Sequence, residues 1–332
     1  MKWRVACRRR SALAWAGGLA GLLLPVLCLA APPDGETFRG LLKRQTLATF
    51  EAVIKYAADQ PQAADVNEGY LWLFQTARQQ KLEVEALPAA AAYLKRDDRD
   101  PQVTWAAQQV QALGLAKAGQ TEEALAAFDG LLLGVRRESP TRFLELTLDL
   151  AAQLRLAGKP ESNRALFERV ASSFPLNDQV SSLAEKNLAK LELLNQPAPK
   201  IAASDLEGKP VDWGEYQDRV VLVDFWATWC TPCITELPNL KRLYADHHEQ
   251  GFDIIGVSLD DDKETVERFQ QQSELRWRMV LNEADGKEVG TGFHVDTIPA
   301  LYLVDKQGRV AQFDVRGDDL RTAVERLMRD KP

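Results

Sequence analysis

Apolar residues recur at two different periods in the two halves of this chain. From about Thr37 to Asn195 they fall three and four apart, as in Leu41, Leu42, Leu47, Phe50, Val53, Ile54 and Ala57, against a background rich in Ala, Leu, Gln and Glu. That spacing keeps one face of a 3.6-residue helix apolar, so the whole stretch reads as helix. Breaks are expected at Gln60-Pro61, Asp100-Pro101, Ala118-Gly119, Ser139-Pro140, Ala157-Gly158 and Phe174-Pro175, where proline cannot continue a helix or glycine can end one. After Gln196-Pro197-Ala198-Pro199-Lys200 the apolar residues gather into short runs rich in β-branched and aromatic side chains. Arg219 to Trp226 and Phe252 to Leu259 read as buried strands around an amphipathic helix over Pro232 to Glu249, which is a β-α-β unit. Asp261 to Gln271 reads as a further helix. Ala300 to Val304 and Val310 to Val315 read as strands joined by the turn at Lys306-Gln307-Gly308, and Asp318 to Arg329 as a closing helix. The expected result is a mixed sheet with helices on both faces.

The helical half contains one internal echo. Ala118-Gly119-Gln120-Thr121-Glu122 leading to Ala126 and Phe128 matches Ala157-Gly158-Lys159-Pro160-Glu161 leading to Ala165 and Phe167. A small residue and Gly closing one helix, then a second helix bearing Ala and Phe, resembles the helix-turn-helix unit of tetratricopeptide-type repeats, and implies an all-α helical-repeat domain over 37–195. This region has no Cys and no His, so it is expected to bind a protein partner or act as a spacer.

The start of the chain changes the picture of where the protein works. Lys2, Arg4, Arg8, Arg9 and Arg10 precede an uncharged run from Ala12 to Ala31 that ends in small residues, which is the build of an export signal over residues 1–30. The same run, residues 12–31, is long enough to serve as an uncleaved membrane anchor. Either outcome sends the remainder across the inner membrane, to a periplasmic location. The full chain has 332 residues and a net charge of −7, which becomes −12 without those five basic residues. So acidic a body does not suit a nucleic-acid binder. Of four cysteines, Cys7 and Cys28 fall in the signal, leaving Cys230 and Cys233 for an oxidising compartment.

Those two cysteines stand in Trp229-Cys230-Thr231-Pro232-Cys233, between the first strand and its helix. Residues three apart across the first turn of a helix bring their sulfurs close enough for a small disulfide ring. The first sulfur lies at the positive helix end, where free N–H groups stabilise a thiolate and lower its pKa to about 3.5–7.5. Pro232 suits a first turn because its missing N–H has no intrahelical partner to lose. Cys230 is therefore the expected attacking thiolate and Cys233 the resolving thiol.

The stretch Val223-Asp-Phe-Trp-Ala-Thr-Trp-Cys-Thr-Pro-Cys233 resembles the active-site strand and helix of thioredoxin-fold proteins, in particular the exported TlpA/ResA-like thiol-disulfide oxidoreductases. Glu236-Leu237-Pro238 and Thr297-Ile298-Pro299-Ala300-Leu-Tyr-Leu-Val-Asp305 extend the likeness, which covers about 198–332. It implies an α/β thioredoxin-like domain, a cis Ile298-Pro299 bond facing the sulfurs, and Ile298 as a substrate contact. It also implies a carboxylate at Glu236, one turn on from Cys233. Asp224 stands where such proteins often have Asn and where thioredoxin has a buried Asp. Two acids near one thiol push one pKa upward, so either Asp224 or Glu236 is the expected proton acceptor for Cys233. Trp229 is expected to wall the binding groove. Ala300 stands where Thr is common, with a small packing effect expected.

The expected function is disulfide exchange with protein substrates, most simply their reduction, without metal, nucleotide or flavin. The resemblance further implies a membrane thiol-relay protein as electron donor and a protein such as apocytochrome c as acceptor. Three other readings remain open from the sequence. Cys-x-x-Cys with His247-His248 could be a zinc site, but adjacent histidines point apart on a helix. The helical half could be an adaptor or chaperone for which the thioredoxin-like half only docks. A peroxiredoxin-like antioxidant would need Pro-x-x-x-Thr-x-x-Cys, whereas Val223 stands seven residues before Cys230 and Thr228 only two before it.

Overall fold

The computed structural model describes residues 37–134, 140–284 and 287–330. The leader over 1–30, with Cys7 and Cys28 and the candidate anchor at 12–31, lies outside them. Residues up to Thr49 group apart from a compact unit spanning Phe50–Pro332.

Eight helices fill the first half: α1 (Phe38–Asp59), α2 (Val66–Gln80), α3 (Glu83–Tyr93), α4 (Pro101–Lys117), α5 (Thr121–Gly134), α6 (Pro140–Leu156), α7 (Pro160–Ser173) and α8 (Asp178–Glu192). The expected breaks coincide with helix ends, save that Ser139 lies outside the described residues. Asp100 caps α4, its carboxylate accepting from Gln102 N and Val103 N, with Pro101 at the first helical position. One break was not foreseen. Lys81 takes φ 59° between α2 and α3, a left-handed end that carries neither the Gly nor the Pro by which sequence reveals such ends.

The echo at 118 and 157 corresponds to two closely similar helix ends. Gly119 and Gly158 have φ 78° and 69°, and the next residues, Gln120 and Lys159, donate their N–H to Leu115 O and Leu154 O, five residues back. That is the 6→1 bond of a Schellman end, and it requires the left-handed position that glycine fills without strain. Phe128 and Phe167 are both buried, whereas Ala126 faces solvent, so the alanine of the echo is not a core position.

The second half has a five-stranded sheet ordered β3-β2-β1-β6-β7, from β1 (Val220–Trp226), β2 (Phe252–Ser258), β3 (Arg278–Leu281), β6 (Ala300–Val304) and β7 (Val310–Phe313). β1, β2 and β3 are parallel, and β6 and β7 antiparallel. A small hairpin, β4 (Glu283–Ala284) with β5 (Lys287–Glu288), follows β3. The helices are α9 (Thr231–His247), α10 (Lys263–Gln272), the short α11 (Val289–Gly292) and α12 (Gly317–Arg329).

Alternation along β1 sorts its residues between two cores. Val221, Val223 and Phe225 join Tyr302, Phe293 and Phe313 in a cluster continuous with α4 to α8. Val220, Leu222 and Trp226 join Cys230, Cys233 and Leu237 of α9 and Leu320 of α12. Helices α4 to α8 therefore cover one face of the sheet and α9 with α12 the other. The chain between the halves is itself pinned to the sheet edge. Asn195 N donates to Val310 O and Ala198 N to Gly308 O. Across the junction, Lys190 Nζ meets Asp314 at 2.8 Å, and Gln312 Nε2 donates to Arg155 O at 3.0 Å.

Candidate functional site

Strand order and helix capping together build the site. Cys230 is the N-cap of α9, its sulfur accepting from Cys233 N at 3.3 Å, and the two cysteines form a disulfide with their Cα atoms 5.2 Å apart. Both are buried, while the indole of Trp229 beside them is 66% exposed. The loop that delivers them is held from a neighbouring strand. Asp260, just past β2, accepts from Thr228 N at 2.9 Å and Thr228 Oγ1 at 2.6 Å, and Ser258 Oγ donates to the same carboxylate at 2.7 Å. This anchor was invisible in sequence, because it joins residues 32 apart that meet only when two parallel strands end side by side.

Asp224 has the parity of Leu222 and Trp226, so it lies on the face where the cysteines pack. It sits between Gly256 of β2 and Leu301 of β6, buried, and among the described residues nothing hydrogen-bonds its carboxyl. Burial pushes its pKa up to about 7; the charge of Glu236 adds to the rise and Arg316 opposes it. Glu236, half-buried on α9, points its Oε1 at the start of α12, accepting from Gly317 N at 2.9 Å and Asn239 Nδ2 at 2.8 Å. The N-terminus of a helix is a natural seat for a carboxylate. Arg316, one residue earlier, donates to Pro299 O at 2.6 Å. The Ile298–Pro299 bond is cis, and Ile298 packs against the cluster that holds both cysteines. The expected site residues are thus drawn to one end of the sheet's central strands.

The two histidines at the end of α9 go elsewhere. His247 faces Glu325 at 3.7 Å and His248 stacks on Tyr244. Among the described residues no group of three or more His, Cys, Asp or Glu side chains is placed to hold a metal ion.

A thioredoxin-type sheet with a disulfide at the first turn of its first helix defines a thiol-disulfide oxidoreductase. The AhpC/TSA family model matches residues 194–313. Thiol-disulfide oxidoreductase ResA of Bacillus cereus is 30% identical over 172 residues, 51% of this chain and 97% of that protein. The ResA protein of Bacillus thuringiensis subsp. konkukian is 30% identical over 140 residues, 42% of this chain and 79% of its own. The chain belongs to the ResA family of thiol-disulfide oxidoreductases. Among solved structures, the thioredoxin domain of a Bacteroides vulgatus thiol-disulfide oxidoreductase is 33% identical, covers 41% of this chain and 97% of that one, and has a TM-score of 0.39. None of these likenesses spans more than about half of this chain.

Proposed function

We propose that this protein is an exported reductase of protein disulfides, with residues 1–30 as its leader, 37–195 as a partner-binding helical domain and 198–332 as the catalytic domain. The observation that carries the reading is the Cys230–Cys233 disulfide at the α9 N-terminus with an unpartnered carboxyl, Asp224, on the same face beneath it. In the reduced enzyme the Cys230 thiolate attacks one sulfur of a substrate disulfide, and the other substrate sulfur leaves as a thiolate. The proton of Cys233 passes to a carboxylate, for which Asp224 is the better placed acceptor, since Glu236 is committed to the α12 N-terminus. The Cys233 thiolate then attacks Sγ of Cys230, closing the internal disulfide and releasing the second substrate thiolate. Substrate gains two electrons and the enzyme loses them. Trp229, Ile298 and Pro299 line the groove in which the mixed disulfide forms.

An oxidising compartment demands a donor that returns those electrons, for which a membrane thiol-relay protein is the fitting class, and apocytochrome c is a fitting acceptor. No helix among the described residues is long and apolar enough to cross a membrane. Cys230→Ala abolishes exchange with a protein disulfide, and Cys233→Ala accumulates mixed disulfides, read on non-reducing gels; turnover retained in Cys230→Ala overturns the reading. A redox titration of the couple settles direction. A midpoint near about −270 mV fits a reductase and one near about −120 mV an oxidant.

A further inference from the structure

Between the helical half and the sheet lies a cleft of about 760 Å³, on the scale of a site for a sizeable ligand. One wall is a helical stripe of α8, with Gln179, Ser182, Leu183, Lys186, Asn187 and Lys190 at three- and four-residue spacing. A second comes from α2, α3, α4 and α6 and includes Arg155, and a third from the loop before β6 and the turn after β7, with Pro299 and Arg316. Both of those residues belong to the neighbourhood of the cysteines, since Pro299 follows Ile298 and Arg316 precedes the Gly317 that donates to Glu236. The cleft therefore opens from the edge of the redox site into the helical half.

Its charges are unevenly matched. Of the acids that line it, Glu83, Asp149, Asp296, Asp314 and Asp319 are each held by a lysine or arginine, and Glu145 alone has no such partner among the described residues. Arg155 of α6 is the opposite case. It is only 4% exposed and lies over the Phe313 ring, and its Nε and Nη1 find no hydrogen-bond partner among the described residues. Burial lowers its pKa to about 10 against the opposing pull of the Asp314 carboxylate, which is itself bound to Lys190, so Arg155 stays charged at neutral pH. A buried cation whose donors are unfilled is costly until an anion reaches it.

From this cleft and its unfilled guanidinium we infer that the helical half selects the substrate, receiving an extended polypeptide segment that flanks the reacting disulfide and carries an acidic side chain for Arg155. The inference rests on the disulfide-exchange reading above and names its substrate class. Aspartate or glutamate, a planar carboxylate, matches the fork of a guanidinium. The cleft then reads sequence beyond the cysteine, which a thioredoxin-like domain alone has no wall to do.

The test measures kcat/KM of the full chain on disulfide peptides in which an Asp-Glu pair is walked outward from the cysteine, against the same peptides with Asn-Gln, and on a small aromatic disulfide. The expected result is a preference of about tenfold for the acidic pair at one position, the worth of one charge-assisted hydrogen bond. That ratio falls to about one in Arg155→Met and stays above one in Arg155→Lys. No preference in the wild type at any position, or a preference that survives in Arg155→Met, overturns the inference. If the Arg155 variants do not fold, Ser182→Trp, which fills the cleft from α8, decides. The ratio of peptide to small-disulfide turnover falls about tenfold if the cleft is used, and an unchanged ratio overturns it. Turnover of the small disulfide by the wild type with no acid preference defeats this inference alone, whereas no turnover of any disulfide defeats the exchange reading beneath it.

Discussion

Glu83 in the helical half and Asp224 in the sheet are buried to the same degree, each 3% exposed, and they solve that burial in opposite ways. Glu83 accepts from Lys117 Nζ at 2.5 Å, so its charge is matched inside the protein. Asp224 has no such partner, and its carboxyl holds a proton up to about pH 7. A buried acid with a partner holds two helices together. One without a partner weakens the fold, and beneath a redox disulfide it is available to take a proton near neutral pH. The difference lies in the neighbours, since neither residue type nor burial separates the two.

Removing the charge at Asp224 gives the largest expected effect. Its pKa is 3.8 in the unfolded reference and about 7 in the fold, so the ionised carboxyl destabilises the native state increasingly as pH rises through that interval, and fully above it. Asp224→Asn should raise the stability of the oxidised protein near pH 8 by up to about 4 kcal/mol, less the cost of a buried amide, and the gain should vanish toward pH 4. Urea unfolding at the two pH values checks this. A gain of equal size at both would mean that the carboxyl's pKa does not rise on folding. The same substitution should slow the resolving step and remove the rise in exchange rate around pH 7.

Breaking the partnered acid should act in the other direction. Lys117→Met leaves Glu83 buried and alone, at a cost of about 3 kcal/mol in unfolding free energy near neutral pH. The double change Lys117→Met with Glu83→Gln should recover most of that loss in a denaturant titration. A single variant no less stable than the wild type would show that the pair does not hold α3 to α4. Glu236→Gln is subtler. Glutamine Oε1 can still accept from Gly317 N, so the start of α12 stays capped, while the charge that helps raise Asp224 is gone. The titration of Asp224, followed by pH-rate profile or by carboxyl NMR, should move to lower pH. A midpoint that stays in place would remove Glu236 from the site's electrostatics.

Much of the fold and of the site was legible in the residues. The helix ends at 118 and 157 were marked by glycine, and β1, α9 and the cysteines by local pattern. Asp224 and Glu236 could be named through the resemblance, because each stands at a position where thioredoxin-type proteins carry an acid. What stayed hidden depends on contacts made across the fold. β3 is only four residues long, Arg278–Leu281, too short a run to carry a period. Asp260 looked like one acid among several after β2, and its bonds to Thr228 exist only in the assembled sheet. Nothing in the sequence around Arg155 marks it as buried, and the sheet docked over α6 is what buries it. Pairing of the two acids was equally unreadable, since Glu83 and Lys117 are 34 residues apart.

The smallest effect tests whether pairing alone, without burial, explains anything. Asp319 at the start of α12 meets Lys81 Nζ at 3.1 Å, a pair that also spans the two halves, but the side chains are 34% and 50% exposed. Water and salt screen such a pair, and ordering a long lysine offsets part of the attraction. Lys81 carries a further cost, because it occupies a left-handed helix end at φ 59°, where glycine fits better. Lys81→Met should therefore lower stability by less than about 1 kcal/mol, and Lys81→Gly should lose the ion pair yet relieve the backbone. Denaturant midpoints of the two variants at low and high salt separate the contributions. Methionine should fall slightly below the wild type at low salt only, with glycine at or above methionine throughout. A loss from Lys81→Met as large as that from Lys117→Met would mean that pairing rather than burial sets the energy, and the contrast between Glu83 and Asp224 would then need another cause.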